Sequence, residues 1–401
     1  MDKSGQPESH RKYLSKGEYV CQHTSAEMKK IILLLLAVTL VVFLSSCRTA
    51  NDAKESSNDI NNANVIKAEP GNDEKVAFKS DFDLGQENYL GNTAANLIWD
   101  CSVAKQGDWY YFFDGQRGII KSNEVTGETV HISEAIGFQI SVQGDYIYFM
   151  QNKGDTLVDD VVRSNVGELW RIRTDGEKLE MIADKVFIHN KVGNIRYSNS
   201  YYGIAGDKIY LRKQIRESNG DAKFCICRMN TDGTKIEQII DGSVLLGVTE
   251  SHVFFYSKTI CCIPIDSDGA QVIEFKYDNK DIYFEHSFSI EDDTLYYFPP
   301  GEKKLYQVKA QSPQDYTFIY DFGASVERKR EGLSFNVYKG KVFACYEGLR
   351  IIDIASGEEK KLNEGNYNGI KVFDDNWIYF RDSDGFNRIT QDGDGYQFFS
   401  R

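Results

Sequence analysis

The chain has 401 residues, a formal net charge of −13 and an aromatic content of 13%. Its first 46 residues carry six basic and four acidic side chains, so the remainder stands at −15. A surface that acidic repels phosphate backbones and argues against a nucleic-acid partner.

In chain order, residues 1–27 are polar, mixed in charge, and precede a complete export signal, so they read as a non-native upstream extension. Met28-Lys29-Lys30 opens that signal, and the apolar run Ile31 to Leu44 follows, broken only by Thr39. The run is shorter than the roughly 20 residues of a permanent span. A basic start, a short apolar stretch and small residues at its end make residues 28–46 a secretory signal peptide. Leu44-Ser45-Ser46-Cys47 resembles the lipobox of bacterial lipoproteins. That resemblance implies recognition of Leu44, Ser45 and Ser46 by the signal peptidase and lipidation of Cys47. The mature chain is then expected at the extracytoplasmic face of the cell membrane, anchored by acyl chains. Residues 47–79, rich in Asn, Asp, Ser, Lys and Glu, read as a flexible tether.

From residue 80 onward one phrase recurs. Gly107-Asp108-Trp109-Tyr110-Tyr111-Phe112 returns as Gly144 to Phe149 and Gly206 to Leu211, with weaker copies at Glu250, Asp292, Lys339 and Asp375. Each copy is a polar turn running into a β-branched and aromatic strand, at steps of 36 to 62 residues. A second strand and a tight turn follow, as in Leu169-Trp170-Arg171-Ile172 before Asp175-Gly176, with equivalents at Asp232-Gly233 and Asp268-Gly269. Asp-Gly supplies the backbone angles a short hairpin requires. Several short strands per period of this size predict an all-β fold, a β-propeller over residues 80–401. The units start near Ala94, Gly137, Ile195, Leu245, Glu285, Ser334 and Gly369, which predicts seven four-stranded blades; six or eight stay open, because Phe78 to Tyr89 could add a strand. Insertions at Gln151 to Gly167 and Lys185 to Gly203 interrupt the rhythm and are candidate binding loops.

The segment Gly91-Asn92-Thr93-Ala94-Ala95-Asn96, leading to Val103 through Tyr111, together with the later Leu-Trp-Arg-Ile and Asp-Gly phrases, resembles a bacterial family of extracytoplasmic propellers, a domain of unknown function. Those propellers are distantly similar to YWTD-type and TolB-like propellers. The resemblance covers about Gly91 to Arg401, and it implies a fold without implying an activity. Pro264 and a missing Asp-Gly turn in the sixth unit depart from it.

Candidate chemistry is sparse. Aligning the Asp-Gly turns sets Cys225 level with Cys261 and puts Cys262 on the opposite sheet face. Cys262 could therefore meet Cys225 or Cys227 in a disulfide; buried free thiols are the alternative. Asp-rich phrases such as Asp266-Ser267-Asp268-Gly269 lack the downstream Glu of a calcium loop and read as hairpins. The histidines are scattered, and Glu285-His286-Ser287 would alternate across a strand rather than form a triad. Rings at repeat-equivalent positions, including Trp109, Tyr111, Trp170, Tyr210, Tyr296 and Trp377, read as core. Tyr197, Tyr201 and Tyr202 fall near the end of the second insertion and read as an exposed patch for sugar or partner side chains. No metal, cofactor or catalytic residue is expected. The sequence reads as a membrane-anchored extracytoplasmic binding or scaffold module without catalytic activity, with an envelope protein as partner. Two alternatives stay open: a cell-wall glycan-binding or glycan-cleaving propeller using the central pocket, and a structural component of an envelope assembly.

Overall fold

Each copy of the recurrent phrase forms the second strand of an antiparallel sheet. In the first sheet the strands are Val103–Gln106, Trp109–Asp114, Gly118–Asn123 and Thr129–Ser133, in that spatial order. The computed structural model describes residues 90–400 apart from 99–100, 116, 153–155, 159–160, 164–165, 188–190, 193–194, 197–200, 217–221, 270, 279, 283–287, 300–301, 324–332, 366 and 382–384. The described residues belong to one compact unit, Phe78–Arg401. The export signal, Cys47, the tether and the proposed extra strand lie outside the described residues.

The architecture is all-β, arranged as a propeller, with a single helical turn, Ala94–Leu97, among the described residues. Among the described residues five sheets of four strands stand separately, where seven had been expected. The difference arises in the second and third units, which form one eight-stranded sheet. There the strands lengthen to Glu180–Phe187 and Lys208–Arg216 and join through Val186 and Lys213. Lys213 also forms an ion pair with Asp184 at this joint. The insertions contribute short hairpins, Thr156–Val158 with Val161–Arg163 and Lys191–Val192 with Ile195–Arg196.

Period-two alternation gives each sheet two apolar faces, and each face meets a neighbour. Tyr111, Phe113 and Ile119 of the first unit pack on Ile140, Ile147 and Phe149 of the second. Equivalent clusters follow along the chain, and the last joins its two ends: Val103, Tyr110 and Ile120 pack on Tyr379 and Phe386. Trp109, Trp170 and Trp377 pack against these clusters, while Tyr111, Tyr210 and Tyr296 lie buried within them. Burial falls from the inside outward: Val244–Val248 is buried throughout, whereas Glu359–Asn363 is largely exposed.

The Asp-Gly turns do more than close hairpins. Gly176, Gly233 and Gly269 hold φ near +90° at +89°, +84° and +92°. A Cβ at these positions would stand 2.6, 2.7 and 2.5 Å from the carbonyl oxygens of Ile132, Ile182 and Ile239. Each of those isoleucines lies on the outermost strand of the preceding unit. Glycine is thus required twice, for its φ and for the close approach of two units.

Candidate functional site

The innermost strands converge on the segment Gly91–Ile98. Thr93 stays extended and its hydroxyl accepts from the Asn96 N–H at 3.2 Å, capping the single helical turn. Along this segment, Asn92 Nδ2 donates to the carbonyls of Val103 and Ile140, both at 3.0 Å. Gln139 Nε2 donates to Leu97 O at 2.7 Å. Asn96 donates to Val372 O at 2.8 Å and accepts from Val372 N at 3.0 Å. Asn336 Nδ2 donates to Asn96 Oδ1 at 3.0 Å and to Ala95 O at 3.2 Å. Lys371, 1% exposed, donates to Ile98 O. Ala94 and Ile98 pack with Leu246 and Ile290, and a Cβ at Gly91 would stand 3.1 Å from Ile204 Cδ1. The chain itself therefore enters the axis and ties the innermost strands together there. The sequence marked this segment only by a resemblance, without showing where it goes.

Around the axis, the recurrent turns grip one another. Gln106 exchanges two hydrogen bonds with Gly144, at 2.8 and 2.9 Å. Gln143 donates to Gly206 O at 2.8 Å. Asp293 accepts from Thr249 at 2.9 Å, and Lys339 reaches Asp375 at 2.9 Å. At the seam between the last and first units, Lys105 bridges Asp374 and Glu124. Tyr110 donates to Asp374 at 2.9 Å, and Trp377 Nε1 donates to Glu124 at 2.8 Å. Burial opposes ionisation of Asp374, but Lys105 and the N–H groups of Asn376 and Trp377 outweigh it and hold the carboxyl below its usual range. Burial likewise opposes the charge on Lys105, and its two carboxylates overcome that and raise its pKa.

A Ser–His–Asp contact occurs at Ser251, His252 and Asp293. Ser251 Oγ and Asp293 Oδ1 both approach the same ring nitrogen, His252 Nδ1, at 2.9 and 3.0 Å. A relay needs the serine on one nitrogen and the carboxylate on the other, so this is a turn lock and not a triad. His286 and its neighbours lie outside the described residues, as does Tyr197. Among the described residues, no group of three or more His, Cys, Asp or Glu side chains is gathered to hold a metal.

Two expectations change. Tyr201 and Tyr202 are 2% and 0% exposed and form no surface patch. Tyr202 opens the inner strand Tyr202–Ala205, and its hydroxyl donates to Gln139 O at 2.6 Å. The pairing of Cys262 with Cys225 or Cys227 also fails. Cys261, not Cys262, faces the third unit, packing with Ile226, while Cys262 packs toward the fifth beside Phe254 and Leu295. Cys225 and Cys227, flanking Ile226, alternate onto the other face. All three are free thiols, with Cys225 and Cys227 sulfurs 3.3 Å apart, against about 2.05 Å for a disulfide. The contact with Cys227, then burial, raises the Cys225 pKa.

No protein-family model matches the chain, and no curated protein matches it. Similar solved structures include a nidogen/laminin complex, at 11% identity and a TM-score of 0.29, covering 65% of this chain and 77% of that one. A structure from a study of two prolyl endopeptidases aligns at 11% identity and a TM-score of 0.49, covering 78% of this chain and 50% of that one. A puromycin-hydrolysing peptidase of Mycobacterium tuberculosis aligns at 12% identity and a TM-score of 0.48, covering 79% of this chain and 56% of that one. The chain thus spans about half the length of the two peptidase chains. The expectation of a protein without catalytic activity does not stand: the structures similar to the chain include peptidases.

Proposed function

We propose that the chain is a lipid-anchored extracytoplasmic binding module, built on seven blades and presenting its outer surface to an envelope partner. The observation that carries this reading is the axial segment: Gly91–Ile98 enters the centre and ties the innermost strands together there, which leaves rim and loops for recognition. Counting the eight-stranded sheet as two blades joined at Val186 and Lys213 brings the total to seven. The lipobox resemblance at Leu44 to Cys47 supports the anchor. The hairpins at Thr156–Arg163 and Lys191–Arg196 rise from this fused region and are the loops assigned to the partner.

Crosslinking in native cells, with protein tagged at its C-terminus, tests the reading. A variant shortened at 154–164 and 188–198 is expected to lose a stoichiometric protein partner. Recovery of the same partner by that variant refutes the role of the hairpins. Metabolic labelling with radioactive palmitate should mark the wild type and leave Cys47→Ser unlabelled; label retained by the variant refutes the anchor.

A further inference from the structure

Some outer strands of this protein are blunted by charge, as in Glu359-Lys360-Lys361, which protects exposed sheet edges from pairing. The strand Tyr316–Asp321 is instead aromatic, with Tyr-Thr-Phe-Ile-Tyr before a single Asp. Tyr316 is 39% and Phe318 51% exposed. Their rings pack on Tyr277 and Tyr306: the centroids of Tyr277 and Tyr316 lie 4.5 Å apart, and those of Tyr306 and Phe318 5.9 Å. Tyr277 and Tyr306, on which they pack, line an open cavity of about 550 Å³ with Glu302, Asp321, Lys303, Lys304 and Gly323, and Tyr316 and Phe318 flank it without lining it. Such a volume suits a small ligand. Glu302 fixes both phenols, accepting from Tyr277 at 3.1 Å and from Tyr306 at 3.2 Å, one on each carboxylate oxygen. A second exposed pair, Tyr396 and Phe398, does not line this cavity.

We propose that this tyrosine–carboxylate cradle binds a neutral oligosaccharide. The wall carries two carboxylates and two ammonium groups, so its formal charges cancel and it has no net pull on an anion or a cation. Exposed ring faces select a ligand with a flat apolar side, and the surrounding acceptors and donors select one rich in hydroxyls. A sugar ring combines the two properties. This site is separate from the hairpins assigned to a protein partner, and it moves sugar recognition from the axis to the rim.

Saturation-transfer difference NMR with the full chain tests the assignment, using chitotriose, cellotriose and maltotriose as neutral probes, 3′-sialyllactose as an anionic one and decaproline as a peptide one. At least one neutral trisaccharide should bind, with 3′-sialyllactose weaker. Tyr316→Ala and Phe318→Ala, both at exposed positions, should each weaken that binding by about fivefold or more with an unchanged circular dichroism spectrum. The proposal is overturned if no neutral trisaccharide binds, if binding survives in both variants, or if decaproline alone binds and is lost in them.

Discussion

Replacing Asn96 by Leu, a side chain of similar size, asks what the axial segment contributes. Asn96 is 0% exposed. Its amide links Val372 O at 2.8 Å, Val372 N at 3.0 Å and Asn336 Nδ2 at 3.0 Å. Asn336 keeps bonds to Ala95 O at 3.2 Å and Ile370 O at 3.1 Å, so the main loss falls on the two main-chain groups of Val372. A buried polar group left without its partner costs roughly 1–3 kcal/mol, which sets the expected destabilisation at about 4 kcal/mol. Urea denaturation followed by tryptophan fluorescence measures it as a fall in midpoint at constant slope. A loss below about 1 kcal/mol would show that the segment merely occupies the axis, and the reasoning that it organises the inner strands would fail.

Other outcomes follow from the same contacts. Because the Asp374 pKa is depressed in the fold, its stabilising contribution is present above the unfolded carboxylate pKa and vanishes as pH falls through the folded value. The raised pKa of Lys105 acts in the opposite sense: its contribution is complete below the unfolded lysine pKa and is lost as pH rises through the folded one. Lys105→Met should therefore lower stability at neutral pH by about 2–4 kcal/mol and flatten both limbs of a stability–pH profile; an unchanged profile would count against the seam. Gly233→Ala should cost about 2–4 kcal/mol, combining a strained φ with backbone crowding at Ile182. Gly357→Ala, with φ +71° but nothing within 4 Å of the new Cβ, should cost only about 1 kcal/mol; equal melting shifts would refute the close-approach argument. Alkylation under denaturing, non-reducing conditions should modify Cys225, Cys227 and Cys262 alike, and an unmodified pair would reveal a disulfide.

The repeat was legible because its strands alternate and its turns carry Gly and Asp, so Trp109–Asp114 and Trp377–Arg381 can be read without any neighbour. What joins the units was not legible. The pairing of Val186 with Lys213 depends on how far two strands overrun their period, which composition does not encode. Cys261 and Cys262 differ by one step, and aligning turns across units cannot fix which face each occupies when bulges shift register, as between Leu245 and Gly247. Tyr201 and Tyr202 look like loop residues because the insertion precedes them without a break in composition. The cradle around Glu302 gathers residues from separate strands whose exposure only the packed structure defines.

The seam between the last and first sheets is made of side chains. Among the described residues no strand crosses it, since each sheet there is built from contiguous sequence. The axial segment reaches both of its banks, Val103 through Asn92 and Val372 through Asn96. It works as a hub into which spokes are fastened, one of them on either side of a gap in the rim. A fragment beginning at residue 102 would keep every described strand and still lack that hub, so its rim would be free to spring open at Lys105. A stretch with almost no secondary structure of its own therefore belongs to the folding unit.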